Sequence, residues 1–433
     1  MNSGTWPLVV SSLLFVLTYV GILSERIHRA IVGLVGAVLM IIAGTWLGFY
    51  TDMEAVEAVD FNTITLLLGM MLIVGILKKT GLFSYLAIRV AKRTHGSPWK
   101  LMLLLGLFTS VVSMVLDNVT TIIIVAPVTL SIAEVIGISA VPLLLGEALM
   151  SNIGGVATLI GDPPNILIGS AAGLSFNSFI IHLAPIVLIV WVVVQLLLLL
   201  IFRKQLQQPP TNISQLDQLD PARVLTDPKT TRKILIVLGG TLALYFIHDL
   251  LHLNPGTVAL LGASAGLVWI RPSFDEILQE VHWDILIFFI SLFVIVGGLE
   301  AAGILKLIAT QIGALTEHGM IIAVLAVLWI GAIMSAVVDN IPFTIAMLPI
   351  IAGLQSQGVN VTPLWWALAL GVGFGGNGTP IGSTASVVTV SISERTDNPI
   401  TFRIWAKSGA ITSLVSCLIA SCLLILALKL GLM

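Results

Sequence analysis

Residues 177–202 read NSFIIHLAPIVLIVWVVVQLLLLLIF and contain no Asp, Glu, Lys or Arg. A helix of about 20 apolar residues matches the roughly 30 Å hydrocarbon core of a bilayer. Inside hydrocarbon each backbone N–H and C=O must be bonded within the protein, so only helices and closed barrels can span it. A continuous apolar run with no alternation selects the helix. Comparable runs occupy 6–23, 30–50, 61–77, 234–250, 256–270, 283–299 and 405–428. Four more apolar stretches, 100–136, 142–169, 319–353 and 363–392, are interrupted by polar residues, Gly or Pro. The 433 residues are 57% hydrophobic and 10% charged, against about 25% charged in soluble domains. A soluble globular fold is excluded, and an all-α polytopic membrane protein is expected. The first run lacks a basic leader, because Arg26 and Arg29 follow it, so it reads as an uncleaved span. Cys417 and Cys422 share the last apolar segment and read as packing residues. No disulfide framework, metal site or nucleic-acid-binding basic patch is indicated.

Orientation follows from the Lys and Arg content of the short loops. The first loop holds Arg26 and Arg29. The second, YTDMEAVEAVD, is acidic. The third holds Lys78, Lys79, Arg89, Lys92, Arg93 and Lys100, and the segment 203–233 holds six more cations. With both termini outside, 100–136 entering and leaving on one side, and 142–169 crossing outward, only Lys306 and Lys429 of the 20 Lys and Arg residues fall outside. The expected organisation is a first membrane repeat, 1–202, a cytoplasmic linker, 203–233, and a second, inverted repeat, 234–433.

The repeat rests on polar positions, since apolar sequences align by chance. SMVLDNVTTIIIVAP (113–127) falls on SAVVDNIPFTIAMLP (335–349), which superposes Asp117–Asn118 on Asp339–Asn340. One deletion later GGVATLIG (154–161) falls on GGNGTPIG (375–382). Each unit makes five crossings, an odd number, so the second copy is upside down. Inverted repeats with broken helices place their substrate near the midplane, at the repeat interface.

Each repeat therefore contributes one re-entrant helical hairpin and one broken helix. The hairpins are 100–136, with Asp117, Asn118, Thr120 and Thr121 near the turn, and 319–353, with Asp339, Asn340 and Thr344. Asp and Asn favour such turns because their side chains bond local backbone. The broken helices are 142–169 and 363–392. In the first, Gly154, Gly155 and Gly161 permit unwound backbone and Pro163–Pro164 forbid a continuous helix, while Asn152, Thr158, Asp162 and Asn165 put polar groups into the gap. The second offers Asn377, Gly378, Thr379, Ser383 and Thr384. A carboxylate in such surroundings costs several kcal/mol unless paired or hydrated, so Asp117, Asp162 and Asp339 read as functional. Glu147 reads either as an interior carboxylate or as one near the cytoplasmic end. Half-helix N-termini favour anions and exposed C-terminal carbonyls favour cations, so the four breaks form a site for a small polar solute or ion.

DNVTT, NIGGVATLIGDPPN, DNIPF and GGNGTPIGSTAS together resemble the ArsB/NhaD group of the ion transporter superfamily, which includes arsenite permeases, sodium/proton antiporters and the melanosomal P protein. The resemblance covers nearly the whole chain. It implies inverted repeats with re-entrant hairpins, a homodimer, and a transport domain moving against a fixed scaffold. It also implies that 117–121 and 339–344 form the hairpin tips and that 154–165 and 375–386 form the unwound loops. Asp-Asn stands where related dicarboxylate symporters carry Ser-Asn-Thr, and extra carboxylates would repel a dianion.

The resulting expectation is a secondary active transporter of a small inorganic solute, working by elevator-like alternating access in a bacterial or archaeal inner membrane. Proton-coupled efflux of arsenite or antimonite is the favoured activity, because the uncharged trihydroxide needs hydrogen-bonding groups rather than cations. Two cysteines on one helix rule out three-thiolate capture within one chain. Sodium/proton antiport is the alternative, transport of another anion a further one, and a channel or membrane receptor the reading from a different class. No HExxH or paired catalytic arrangement supports an enzyme. No cofactor is expected beyond H+ or Na+ as coupling ion. The expected partners are the solute, the bilayer and a second copy, with room for a soluble ATPase.

Overall fold

A computed structural model describes residues 5–24, 26–212, 216, 220–307, 309, 319–396 and 398–432. Parts of the expected linker, 213–215 and 217–219, lie outside the described residues. The described residues form helices and no strands. In the first half these are α1 (Thr5–Leu23), α2 (Arg29–Leu47), α3 (Phe61–Lys79), α4 (Leu82–Arg93), α5 (Pro98–Ser113), α6 (Asn118–Ile136), α7 (Val141–Gly155), α8 (Pro163–Ala172) and α9 (Phe176–Ile201). In the second they are α10 (Pro228–Ile247), α11 (Pro255–Ile270), α12 (Trp283–Ala301), α13 (Met320–Val337), α14 (Asn340–Ser356), α15 (Thr362–Gly375), α16 (Thr384–Ser393) and α17 (Phe402–Lys429).

The helix ends follow from local chemistry. Asp60 accepts from the N–H groups of Asn62 and Thr63 at the start of α3, and Asp227 does the same for α10 with Lys229 and Thr230. Gly48, in the left-handed conformation, ends α2. At nine places among the described residues a helix is long and apolar enough to cross a membrane. Val9, Leu13, Ile181, Leu188 and Leu196 point outward from α1 and α9 as a lipid-facing surface. The expected packing role fits Cys417, which is buried, but Cys422 on the same helix is exposed.

Packing is symmetric between the halves, and it exchanges elements between them. α2 lies on α12, and α11 lies on α3. α5 packs on α7 and α13 on α15, while α8 crosses to α14 and α16 crosses to α6. The helices flanking the breaks sit at the centre: every residue of α7, and every residue of α15 after Thr362, is buried. α5 and α7 run in the same direction, with Met102 beside Gly146 and Ser110 beside Gly154. Leu328 beside Gly371 and Ala332 beside Gly375 repeat that geometry in α13 and α15. A Cβ on Gly154 would stand 2.4 Å from the Ser110 carbonyl oxygen, and one on Gly375 would stand 2.4 Å from that of Ala332. Glycine at these two positions lets each hairpin close on its broken helix. The molecule thus comprises two inverted repeats, each with five crossings, one of them a broken helix, and one re-entrant hairpin.

Candidate functional site

Helix N-termini of α6, α8, α14 and α16 converge where the hairpin turns meet the two breaks. Their N-cap residues are Asp117, Asp162, Asp339 and Ser383. The positive ends of the helix dipoles help to offset three carboxylates in an apolar setting. The four caps are nevertheless used differently.

Asp117 is spent locally. It accepts from the Thr120 N–H at 2.8 Å and the Thr120 hydroxyl at 2.6 Å. Asp339 has no such cap, because position 342, which matches Thr120, is proline and lacks an N–H. It accepts instead from Arg29 at 2.8 Å and from the Thr384 hydroxyl at 2.9 Å. Arg29 also donates to Thr384 and lies over the Phe288 ring of α12. Asp162 has neither kind of partner. Pro163 and Pro164 remove the first two N–H donors of α8, and no backbone donor caps the side chain. Its Oδ1 accepts from the amides of Asn118 at 3.1 Å and Asn340 at 3.4 Å. Its Oδ2 has no partner, and the residue is 1% exposed.

From Asp162 a buried chain of side chains crosses both repeats. Asn118 donates to Asn152 Oδ1 at 3.0 Å, and Asn152 donates to Asn377 Oδ1 at 2.8 Å and Ser383 Oγ at 2.9 Å. Asn377 donates onward to the Leu149 carbonyl. Asn118, Asn152, Asp162, Asn340, Asn377 and Ser383 therefore form one network reaching both hairpin tips and both breaks. Other expected site residues serve the backbone. Thr158 donates to the Met114 carbonyl at 2.6 Å, and Thr379 donates to that of Ala336, so each unwound loop is pinned to its hairpin in the same way. Asn165 bonds the carbonyls of Val156 and Thr158, which closes the first loop. Gly155 and Gly161 meet backbone to backbone inside it, and Gly378 packs beside Ala336. The Thr344 hydroxyl turns back to the Asn340 carbonyl on its own helix. Thr121 is buried with its hydroxyl unpartnered.

Arg29 and Tyr19 were not legible as site residues. By sequence Arg29 reads as an orientation charge, although it opens the apolar run of α2 while Arg26 lies in the loop before it. Tyr19 of α1 donates to the Pro342 carbonyl at 2.7 Å. Together they join the α1–α2–α12 unit to the tip of the second hairpin.

A family model described as Citrate transporter (CitMHS) matches residues 19–371. The 46 kDa membrane protein of Mycobacterium leprae is 38% identical over 95% of this chain and 97% of its own length. An uncharacterised transporter of Mycobacterium tuberculosis is 39% identical over the same shares. The P protein of Homo sapiens is 30% identical over 94% of this chain and 58% of its own. Among solved structures, the Alcanivorax borkumensis YdaH transporter superposes with a TM-score of 0.64 over 94% of this chain and 99% of that one, at 14% identity, which speaks for the fold. A duplicated, inverted fold around a buried polar core, with transporters as its relatives, makes the chain a membrane transporter and not an enzyme, and a member of the CitMHS citrate-transporter family within the ArsB/NhaD group.

Proposed function

We propose that this protein is a secondary active cation/proton antiporter in which Asp162 holds a proton or a sodium ion in turn. One observation carries this reading. Around Asp162 each of the amide nitrogens of Asn118, Asn152, Asn165, Asn340 and Asn377 already donates within the protein. Acceptor oxygens are left over: Asp162 Oδ2, Asn118 Oδ1, Asn165 Oδ1 and Asp339 Oδ1 have no partner. A site whose amide nitrogens are engaged while carboxylate and amide oxygens stay free suits a hard cation or a proton. Broken helices supply the further carbonyls that such ions take in transporters of this architecture. Both ligands need the same carboxylate, so they exclude one another, and that exclusion is what couples their fluxes.

Proton-coupled efflux of arsenite or antimonite is the second reading, because an uncharged trihydroxide brings three O–H donors to a site with free oxygens. Free citrate fits poorly: the guanidinium of Arg29 at the site is committed to Asp339. Movement of the hairpins and broken helices against α1, α2 and α12 is supported by the few polar ties between these parts among the described residues, those of Tyr19 and Arg29.

Reconstituted vesicles with an imposed pH gradient test the proposal. Labelled sodium uptake should follow the gradient, and Asp162→Asn should reduce it to the protein-free background. Sodium flux unaffected by that change would sink the role of Asp162. Labelled arsenite entering where sodium does not would favour the second reading.

A further inference from the structure

We propose that Glu147 is a second proton-binding site, loaded from the side of the membrane that carries the basic loops. The inference rests on the reading above only in that protons drive transport. Glu147 sits mid-way along α7 and is 1% exposed. Its Oε1 accepts a 2.5 Å hydrogen bond from the Thr129 hydroxyl of α6, and its Oε2 has no partner. It takes part in none of the ion pairs among the described residues.

The elements packed on α7 bring it no counter-charge. α5 carries only Lys100, exposed at its start, and α6 carries Glu134, exposed in its last turn. α9 offers His182, whose ring stacks on Trp366. α15 and α16 carry no charged or titratable group. α17 has Arg403 and Lys407, both exposed near its start, then Cys417, Cys422 and Lys429. An ionised carboxylate with no donor on one oxygen and no cation near it is heavily penalised in a dry interior. A proton on Oε2 removes the penalty. Binding forms one O–H bond and consumes one hydronium ion.

Access is built in on one side. A cavity of about 370 Å³ lies between the end of α6, the turn into α7 and the residues after α16, with Leu130, Ala133, Val141 and Arg395 in its wall. Ala133 is one turn from Thr129 along α6, about 6 Å, so the Thr129 hydroxyl that bonds Glu147 lies about one turn from the cavity wall. On the far side, Ser151 is one turn further along α7 and donates to the Asn118 carbonyl at 3.1 Å. The next residue, Asn152, belongs to the Asp162 network. Glu147 thus lies between the basic-loop side and the ion site, about 8 Å along α7 from Asn152, where it can hold a proton while Asp162 holds sodium.

Infrared difference spectra of the full chain in lipid nanodiscs, recorded across a pH step in H2O and D2O, test this. The wild type should give a protonated-carboxyl band that Glu147→Gln removes and Glu147→Asp shifts, whereas Asp162→Asn removes a different band. Thr129→Val, which keeps the carboxyl, should slow deuterium exchange of the Glu147 band about tenfold. In vesicles, Glu147→Gln should cut pH-gradient-driven sodium flux at least tenfold. An unchanged set of carboxyl bands in correctly folded Glu147→Gln, or in Glu147→Asp if the former does not fold, would overturn the proposal. Wild-type vesicles that move no sodium under any pH gradient would defeat antiport, and the infrared bands would still decide Glu147.

Discussion

Thr120 and Pro342 occupy matching places in the two repeats, and that difference decides how two carboxylates are used. Thr120 supplies an N–H and a hydroxyl that hold Asp117 against its own helix. Pro342 supplies neither, so Asp339 reaches the guanidinium of Arg29. The ion pair is mostly shielded, with side chains 22% and 14% exposed, so its partners should be strongly coupled. Arg29→Gln and Asp339→Asn should each lower thermal stability in detergent, and the double variant should fall short of their sum by about 1–3 kcal/mol. Strictly additive losses would remove the pair from the energetics. A second prediction concerns Pro164. Pro164→Ala returns an N–H to the second position of α8, within reach of the free oxygen of Asp162. A hydrogen bond there is worth about 0.5–1.5 kcal/mol, so the apparent KM for sodium should rise about 2- to 10-fold. An unchanged KM would mean that the prolines only end the helix.

At the scale of helices, the hairpins and breaks depend on close approach. Gly154→Ala and Gly375→Ala each force a methyl against a backbone carbonyl 2.4 Å away. Each should destabilise the protein by about 1–3 kcal/mol, read as a lowered unfolding temperature. Gly239→Ala on α10 is the comparator, since nothing lies within 4 Å of the added carbon; an equal loss there would show that the glycines act through propensity alone. These elements were legible in the sequence because Asp-Asn and Gly-Gly interrupt otherwise apolar periodicity at matching places in both halves, and Pro163–Pro164 marks the break in the first. The uses of the side chains were not. Thr344, Thr158 and Thr379 read as ligands, yet their hydroxyls bond backbone, because a hydroxyl meets the carbonyls nearest to it first. The Arg29–Asp339 pair joins residues far apart in sequence and depends on how α2 sits against a hairpin tip, which no local pattern encodes. Glu147 stood out as a charge in an apolar helix, but only packing distinguishes a deep interior position from one near the helix end.

Across the whole molecule, the inverted repeats lie asymmetrically. The tip of the second hairpin touches α1 and α2 at the end that carries Arg29, and Thr120 at the first tip shares a small cavity with Lys78 and Glu280 on that same side. Gly33 packs on Ser291 while Gly69, its partner's counterpart, packs on Ala259, so Pro255 stands in the second repeat where Arg29 stands in the first. A mirrored state would therefore lack this guanidinium, and the two ends of a transport cycle would differ in charge. If the hairpin must leave α1, a thiol cross-linker joining cysteines placed at Tyr19 and Pro342, in a Cys417→Ala/Cys422→Ser background, should stop sodium flux. Flux that continues through the cross-linked protein would argue that this contact persists throughout the cycle. The exchange of α2 and α11 between halves also bears on how the protein is made. α3 leaves the ribosome with the face meant for α11 bare, and Asn62 without the Gly256 N–H it accepts at 2.9 Å. Its cover is synthesised roughly 190 residues later, about 10–40 s at ordinary rates of translation. During that interval the nascent first half has an unfilled seam. A chain that stops in the linker should be degraded, and supplying the second half as a separate polypeptide should rescue it.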